Sequence, residues 1–539
     1  MRREFDSLWP HKIKVERNLK NLISKIPKEV SHVTNTLEEA GFEAYLVGGC
    51  VRDLLMDKEP KDWDITTNAK PEQIIGLFEK TVYENEFGTV MVIQENVSQE
   101  TLRQIEVTPY RIEAKYTNFR HPDEVKFSDN LEDDLKRRDF TLNAMAYSIS
   151  KGQLIDLYKG QQDIKDRMLR TVGKADDRFS EDALRMLRAV RFSCQLNFSV
   201  GYETTESILK NSDLIKKISA ERIRDEFVKI IMSPNPASGI VMLQKFDLLK
   251  NIIPELEEGI GCEQSGEHIY DVWNHLLQAL SHAADKNWPL EIRLAALFHD
   301  VGKPQSRRNV NSSPNIQNLA ALPASGLRHG LDFVHSAPNT NSKKKFTFYG
   351  HEVVGARMTK KITERLKFSR KESELVEKLV RNHMFFSDTE LITLSAVRRI
   401  INKVGKENIW LLMNVRECDR VGMKKKETPY RLRKYFAMIE EALRDPISVG
   451  QLKINGEFMI KELGIMPGPR MGWILNALLE EILDAPEKNT VEHLSDLAKS
   501  LNMLGDAELK TLGLRGKEKK EELEEEEVTK LHEKHGVRK

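Results

Sequence analysis

The spacing of apolar positions divides the chain into two unlike parts. From Glu43 to about Ser150, the short β-rich runs "EAYLVGGCV", "DWDIT", "FGTVMVI", "RQIEVTPYR" and "FTLNAMAYSI" are broken by turns and helical stretches, which predicts one α/β domain. From about Asp163 to Met503 the strand signals stop. Apolar residues there recur at helical spacing, punctuated by Gly or Pro at "MSPNPASG", "NWPLE" and "GIMPGPRMG". The expected fold class is α+β, an N-terminal α/β head followed by a mainly α-helical body. One stretch interrupts the helical run: Gln305 to Lys345 is rich in Asn, Ser and Pro and reads as a long mobile insertion. The closing "GKEKKEELEEEEVTKLHEKHGVRK" is a charge run, which predicts a solvated helix or disorder.

One helical segment carries an unusual pattern. In "SEDALRMLRAVRF", Leu184, Leu187, Val190 and Phe192 give a buried stripe, while Asp182, Arg185, Arg188 and Arg191 repeat a charge every third residue. Ser180 suits an N-cap, Glu181 and Asp182 suit the first turn, and Glu181 can pair with Arg185 at i, i+4. Taken alone, the charges describe a solvated face.

Composition narrows the picture. A chain of 539 residues is too long for one core, and 40% hydrophobic residues suffice to fold several domains. The N-terminus has no apolar h-region, and no stretch approaches the roughly 18 apolar residues that span a bilayer, so neither export nor a membrane partner is expected. Cys50, Cys194, Cys262 and Cys418 are scattered singly without a CxxC pair, which fits a reducing, cytoplasmic location. Lys plus Arg number 84 against 83 for Asp plus Glu, so nucleic-acid binding would have to rest on local patches.

Two constellations suggest chemistry. In "YLVGGCVRDLLM", Gly48 and Gly49 stand between an apolar strand and a helix, where the backbone can approach a phosphate. Downstream, "KDWDIT" alternates so that Asp62 and Asp64 share one face of a strand, and "RQIEVTPYR" adds a third carboxylate, Glu106. Such carboxylates can share divalent metals, as phosphoryl and nucleotidyl transfer require. Further on, "VWNHLL" gives His275, "LAALFHDVGKP" gives His299 and Asp300, "YGHEVVGA" gives His351, "VRNHMF" gives His383 and "RECDRVG" gives Asp419. Imidazoles and carboxylates converging inside a helical bundle suit Mn, Ni, Co, Fe or Zn. A basic stretch, "GMKKKETPYRLRKYF", interleaves Lys424 to Lys426, Arg431, Arg433 and Lys434 with Tyr430, Tyr435 and Phe436, a mixture for phosphates and stacked bases or else a solvated face.

Taken in order, "VGGCVRD", "DWDIT", "FGTVMV", "DDLKRRDFTLNAMAY" and "RFSEDALRMLRAVRF" resemble the bacterial class II tRNA nucleotidyltransferases, the CCA-adding enzymes, and their poly(A) polymerase relatives. The histidine and aspartate set resembles the HD phosphohydrolase superfamily. The resemblance implies Asp62 and Asp64 as Mg²⁺ ligands, Glu106 as third catalytic carboxylate, and Gly49 and Arg52 on the triphosphate. It also implies Arg138 on the nucleotide, with Arg137 the neighbouring possibility. Asp182 and Arg185 would read the incoming base. Successive i, i+3 positions step by about 60° around a helix, so Arg188 and Arg191 would reach the triphosphate or brace the pocket. A divalent transition metal or Mg²⁺ would occupy the HD site, giving phosphatase or 2′,3′-cyclic phosphodiesterase activity on RNA ends.

Implied partners are tRNA, CTP and ATP. A poly(A) polymerase is disfavoured because "YENEFGTVMVI" stands where those relatives carry a basic run. The length of "RIEAKYTNFRHPDEV" favours full or A-only addition over CC-only. A tRNA-binding RNA-end phosphohydrolase with a silent first domain is the alternative of another class. Gly468, Pro469 and Arg470 resemble part of the family's C-terminal region, at a helix N-terminus that can receive a phosphate. The expected domains are a helical extension at 1–42, a nucleotidyltransferase head at 43–160 and a nucleotide-recognition and RNA-binding region at 161–258. An HD domain at 259–425 with the insertion 305–345, a tRNA-binding region at 426–503 and a charged tail at 504–539 would follow.

Overall fold

The computed structural model describes residues 22–84, 88–95, 97, 99–113, 125–264, 268–309, 346–384, 393–422, 429–444 and 448–537. The chain forms two compact units, one of Met1–Arg381 with Glu417–Lys424 and one of Asn382–Arg416 with Lys425–Lys539.

The first unit begins with a mixed sheet. Its strands are β1 (Ala44–Val47), β2 (Asp64–Thr67), β3 (Thr81–Glu84), β4 (Thr89–Ile93), β5 (Gln104–Pro109), β8 (Met145–Ser148) and β9 (Gln153–Asp156), in the order β3-β4-β5-β2-β1-β8-β9. Only β2 and β5 run parallel. Two strands between β5 and β8, β6 (Arg111–Glu113) and β7 (Val125–Phe127), pair as a separate antiparallel ribbon. They flank the stretch "RIEAKYTNFRHPDEV", whose residues 114–124 lie outside the described residues. Strand β1 is buried along its whole length, which is why "AYLV" reads as a continuous apolar run. Strand β5 alternates: Ile105 and Val107 join a core with Ile65, Val90, Val33 and Leu37, while Gln104 and Glu106 face outward. That alternation frees one face of β2 and β5 for polar chemistry.

The body is helical, with two departures from the expectation that strands end near Asp163. Met168–Leu169 pairs with Ser199–Val200, and Arg308–Asn309 pairs with Phe346–Thr347. The second pair closes the base of the expected insertion; residues 310–345 lie outside the described residues.

In the second unit the charged tail takes the helical alternative, with a packed seam at its start. Asp506–Lys534 is one helix packed on the helix Pro469–Asp484, with Leu509, Gly513 and Gly516 buried. A Cβ at Gly513 would lie 2.6 Å from Trp473 Cα, and one at Gly516 2.2 Å from the Asn476 carbonyl oxygen. Two glycines one turn apart thus let two backbones approach, and Arg515–Glu480 at 2.8 Å and Lys519–Asp484 at 2.5 Å flank the seam. The dense charges hid an ordered packing surface.

Candidate functional site

In the head, the turn after β1 brings three functional groups together. Gly48 adopts φ +79°, in the left-handed region, and caps the short helix Gly49–Leu55. A Cβ at Gly48 would sit 3.1 Å from Arg138 Nη1 and 3.3 Å from Asp64 Oδ2. Gly49 is less constrained, since its Cβ would make only ordinary contact with Arg52 Nη2 at 3.6 Å. Asp64 opens β2 and is paired in register with Glu106 on β5, so the two carboxylates share the polar face. Asp62 lies in the bend before β2 rather than on the strand, with Trp63 turned into the core. Burial raises the Asp64 pKa; Arg138 and Arg52 oppose that shift and the Asp62 charge adds to it. Among the described residues, no trio of ligand atoms drawn together to metal-binding distance includes Asp62, Asp64 or Glu106.

The flanking arginines divide their work. Arg138 donates to Asp134 Oδ2 at 3.0 Å while Nη1 faces Gly48 and Asp64. Arg137 is turned to Asp134 Oδ1 at 2.9 and 2.6 Å, so Arg138 is the one that faces the carboxylate. Arg52 is buried, donating to Asn143 Oδ1 and to Asp53 Oδ1 at 2.8 Å each.

The "SEDALRMLRAVRF" segment corrects its own reading. It is not one helix capped by Ser180. The helix Ala175–Glu181 ends at Asp182, which is extended at φ −142° and ψ 103°, and a new helix runs Leu184–Leu196. Asp182 Oδ1 accepts from the Leu184 N–H at 3.1 Å, satisfying a backbone donor at the start of the second helix. A solvated face is excluded, because Arg185 and Arg191 are buried. Arg185 donates to Glu181 Oε2 at 2.7 Å and to the Arg137 carbonyl at 3.0 Å. Arg188 donates to Asp139 Oδ2 at 2.6 Å, and Arg191 to Glu226 Oε1 at 3.2 Å. Burial opposes ionisation of Asp139, yet Arg188 and Arg185 hold its pKa down to about 2. Burial and the neighbouring Arg188 bring Arg191 down to about 10.

Sequence reasoning missed Arg222. From the helix Ala220–Ile231 it grips Asp182 with Nη2–Oδ2 at 2.7 Å and Nη1–Oδ1 at 3.3 Å. Nothing local flags it, since it lies 40 residues along the chain from Asp182. Asp139, by contrast, stood in plain view within "KRRDF".

The second constellation lies inside the helical body. His275 lies in the helix Val272–Asp285, His299 and Asp300 follow the helix Leu290–Phe298, His351 begins the helix His351–Arg365, and Asp419 closes the helix Ile409–Asp419. All five are buried. His275 Nε2 and His299 Nε2 stand 3.0 Å apart and face Asp300 Oδ2, each at 3.4 Å, and Asp419 Oδ1 at 3.5 and 3.6 Å. Asp300 turns its other oxygen to His351 Nε2 at 3.2 Å.

Backbone carbonyls of Ala296 and Phe348 accept from Nδ1 of His299 and His351 at 2.8 Å each, which leaves Nε2 turned inward as a ligand. Two imidazoles and two carboxylates at these distances fit a divalent metal. Against burial, Asp300 and Asp419 raise His299 to about 10, which expresses the same demand for a cation. Lys303, not foreseen, reaches Asp300 Oδ2 at 2.5 Å and Gln264 Oε1 at 2.6 Å. His383 is buried one residue beyond the helix Arg370–Asn382 and belongs to the second unit.

The expected RNA patch is less available than its sequence suggests. Tyr435 is buried, Phe436 packs edge-on against Trp410, and Tyr430 is exposed. Lys424 to Lys426 lie outside the described residues. Gly468 caps the helix Pro469–Asp484, but Arg470 is committed inward, donating to the carbonyls of Asn502 and Leu504 at 2.6 Å each.

Residues 44–170 match the family described as the poly A polymerase head domain, 197–260 the probable RNA and SrmB-binding site of polymerase A, and 266–424 the HD domain. The matches to a poly A polymerase head domain, an RNA-binding segment and an HD domain follow one another in that order along the chain. Curated relatives that match part of the chain are CCA-adding enzymes. That of Lactobacillus delbrueckii subsp. bulgaricus is 48% identical over 211 residues, covering 39% of this chain and 52% of the relative. That of Ligilactobacillus salivarius is 45% identical over 233 residues, covering 42% and 56%. The chain spans about half the length of the curated relatives it matches. The Bacillus stearothermophilus CCA-adding enzyme, solved in complex with CTP, shares the fold: TM-score 0.53, 24% identity, 88% of this chain and 97% of that one.

Proposed function

We propose that the chain adds CCA, or part of it, to the 3′ end of tRNA without a nucleic-acid template, using CTP, ATP and Mg²⁺. The observation that carries this reading is the close approach of the Asp64 carboxylate and the Arg138 guanidinium to the Gly48 backbone, at the place a side chain would otherwise occupy. A metal-binding oxygen, a phosphate-binding cation and an open backbone between them are the elements nucleotidyl transfer needs. Held by Asp62 and Asp64, Mg²⁺ would neutralise the charge that builds as the 3′-hydroxyl attacks and pyrophosphate leaves. The register of Glu106 with Asp64 supports a third ligand there. Arg52 and Arg138 bind phosphate in this reading.

Base choice falls to Asp182 and Arg185. Cytosine and adenine present an exocyclic amine beside a ring-nitrogen acceptor, whereas uracil and guanine present a carbonyl beside a ring N–H. A carboxylate acceptor next to a guanidinium donor complements the first pair and leaves groups unpaired against the second. Arg188 and Arg191, paired with Asp139 and Glu226, brace the pocket.

The buried cluster of His275, His299, Asp300 and Asp419, with His351 on the second oxygen of Asp300, favours a second activity. We read it as a metal-dependent phosphohydrolase acting on RNA ends, with Mn, Ni, Co, Fe, Zn or Mg²⁺ as metal. Among the described residues no helix is long and apolar enough to cross a membrane, and a cytoplasmic location suits a tRNA-processing enzyme.

The test supplies tRNA lacking its 3′ CCA with each nucleoside triphosphate separately and in combination. Incorporation of CMP followed by AMP is expected. AMP alone selects an A-only enzyme, CMP alone a CC-only enzyme, and a long A tail a poly(A) polymerase. No incorporation, with phosphatase activity intact, selects an RNA-end phosphohydrolase with a silent head.

A further inference from the structure

We infer that Asp134 is a positioning residue for the proposed Mg²⁺ site: it holds Arg138 back from Asp64, so that the Asp64 carboxylate stays open to the metal. The inference rests on the reading of Asp64 as a Mg²⁺ ligand.

Asp134 is 0% exposed, an uncommon place for a carboxylate that belongs to neither candidate centre. Its short helix, Leu131–Lys136, is capped by the Asn130 side chain and seated by Leu131 and Leu135 in a core with Tyr45 and Tyr110. Burial opposes ionisation of Asp134, yet Arg138 and Arg137 hold its pKa below the ordinary carboxylate value. Each oxygen serves one arginine. Oδ1 accepts from Arg137 Nε and Nη2 at 2.9 and 2.6 Å, and Oδ2 accepts from Arg138 Nη2 at 3.0 Å.

Arg138 therefore stands between two carboxylates. Its Nη1 and Asp64 Oδ2 border the same point above Gly48, 3.1 and 3.3 Å from where a Cβ would be. Its charge favours the ionised form of Asp64, against the effect of burial. Among the described residues, however, the ion pair that Arg138 forms is with Asp134. A guanidinium bonded directly to Asp64 would occupy an oxygen that Mg²⁺ needs, and the metal would have to displace a charge-assisted hydrogen bond before binding. Gly48 admits both groups and does nothing to keep them apart. Asp134 supplies that restraint, because a fully buried carboxylate is strongly destabilised without a cation and so retains its share of Arg138. A positive charge is thereby held beside the metal-binding oxygen without covering it.

Asp134→Asn keeps the shape of the side chain and removes the charge. The amide has one acceptor oxygen for two arginines, so Arg138 closes on Asp64. The test uses the full chain and reads two quantities: the Mg²⁺ concentration that half-saturates equilibrium binding of labelled CTP, and the one that half-saturates CMP incorporation into CCA-less tRNA. Both are expected to rise by about tenfold to a hundredfold, the strength of one charge-assisted hydrogen bond. Excess Mg²⁺ should then restore CTP binding.

A double-mutant cycle separates this role from a merely structural one. In an Arg138→Ala background, Asp134→Asn should leave the Mg²⁺ requirement where Arg138→Ala alone puts it, since the effect runs through Arg138. Arg137→Gln, which leaves Asp134 wholly to Arg138, should not raise the requirement, and it carries the comparison if Asp134→Asn fails to fold. An unchanged Mg²⁺ requirement in Asp134→Asn, the same rise with and without Arg138, or an equal rise in Arg137→Gln would overturn the inference. A wild-type chain whose CTP binding and CMP incorporation are indifferent to Mg²⁺ overturns the reading of Asp64 as a ligand instead, whatever Asp134 does.

Discussion

The two candidate centres solve opposite electrostatic problems. In the head, Asp62 and Glu106 are exposed and Asp64 is half-buried, and the neighbouring charges are arginines already paired with Asp134 or Asp53. In the HD cluster, His275 and His299 are fully buried, and Asp300 and Asp419 are 1% and 3% exposed. Water can screen the first set of carboxylates until substrate arrives. It cannot screen the second, whose charges need a cation to be stable where they are. Changes in the head should therefore act mostly on rate, and changes in the cluster on rate, metal binding and stability together.

The strongest way to break that contrast is Asp64→Ala. Losing the carboxylate proposed to hold Mg²⁺ should reduce CMP and AMP incorporation by at least about a thousandfold, several kcal/mol of transition-state stabilisation. Because Asp64 is destabilised by burial rather than locked in an ion pair, the melting temperature should stay near that of wild type. Phosphohydrolase activity should also survive. A large fall in melting temperature would show that the head site is as structurally committed as the cluster.

Asp300→Ala is the converse. It should abolish metal-dependent phosphohydrolase activity and spare nucleotide addition. In wild type, chelation should lower the melting temperature, since a ligand at a hundred to a thousand times its dissociation constant contributes about 3–4 kcal/mol. In the variant, chelation should make no difference. A wild-type chain whose melting is indifferent to chelator and to added Mn²⁺ would refute a metal at this cluster.

Asp139→Asn probes the ground between the extremes, a buried ion pair beside the helix Leu184–Leu196. The folded pKa of about 2 lies below the ordinary carboxylate value of 3.8. The group therefore contributes stability that is present above about pH 4 and lost as pH falls toward 2. By linkage the contribution is about 2 kcal/mol at neutral pH. The asparagine variant should be destabilised by about that amount at pH 7 and converge on wild type near pH 2, measured by urea unfolding across pH. Parallel pH profiles would mean that Arg188 does not hold this carboxylate.

Much of both centres was legible because their residues sit in compact segments. Asp62, Asp64 and Gly48 lie within seventeen residues of one another, and His299–Asp300 is a dipeptide. The alternation of β5 likewise exposed Glu106 and buried Val107. What escaped the sequence was long-range pairing. Arg222 reaches Asp182 from another helix, and Asp139 meets Arg188 across 49 residues. The break at Asp182 was invisible because helical periodicity continues on both sides of it. The tail misled for a different reason: its abundant charges masked two glycines whose lack of a side chain is the packing signal.

That last point yields the smallest expected effect and the one furthest from chemistry. At Gly516 a Cβ would fall 2.2 Å from the Asn476 carbonyl oxygen, a backbone atom that cannot rotate away. Gly516→Ala must therefore push the helix Asp506–Lys534 off the helix Pro469–Asp484, although alanine is the better helix former. Overpacking of this kind costs about 1–2 kcal/mol, more than the propensity gain returns. A lower urea midpoint for the variant, with CTP binding unchanged, is the expected result. At Gly472, inside the helix Pro469–Asp484 and with no atom within 4 Å of its would-be Cβ, alanine should be neutral or slightly stabilising. If Gly516→Ala instead stabilised the chain, helix propensity would outweigh contact, and the tail would be the solvated helix that its charges suggest.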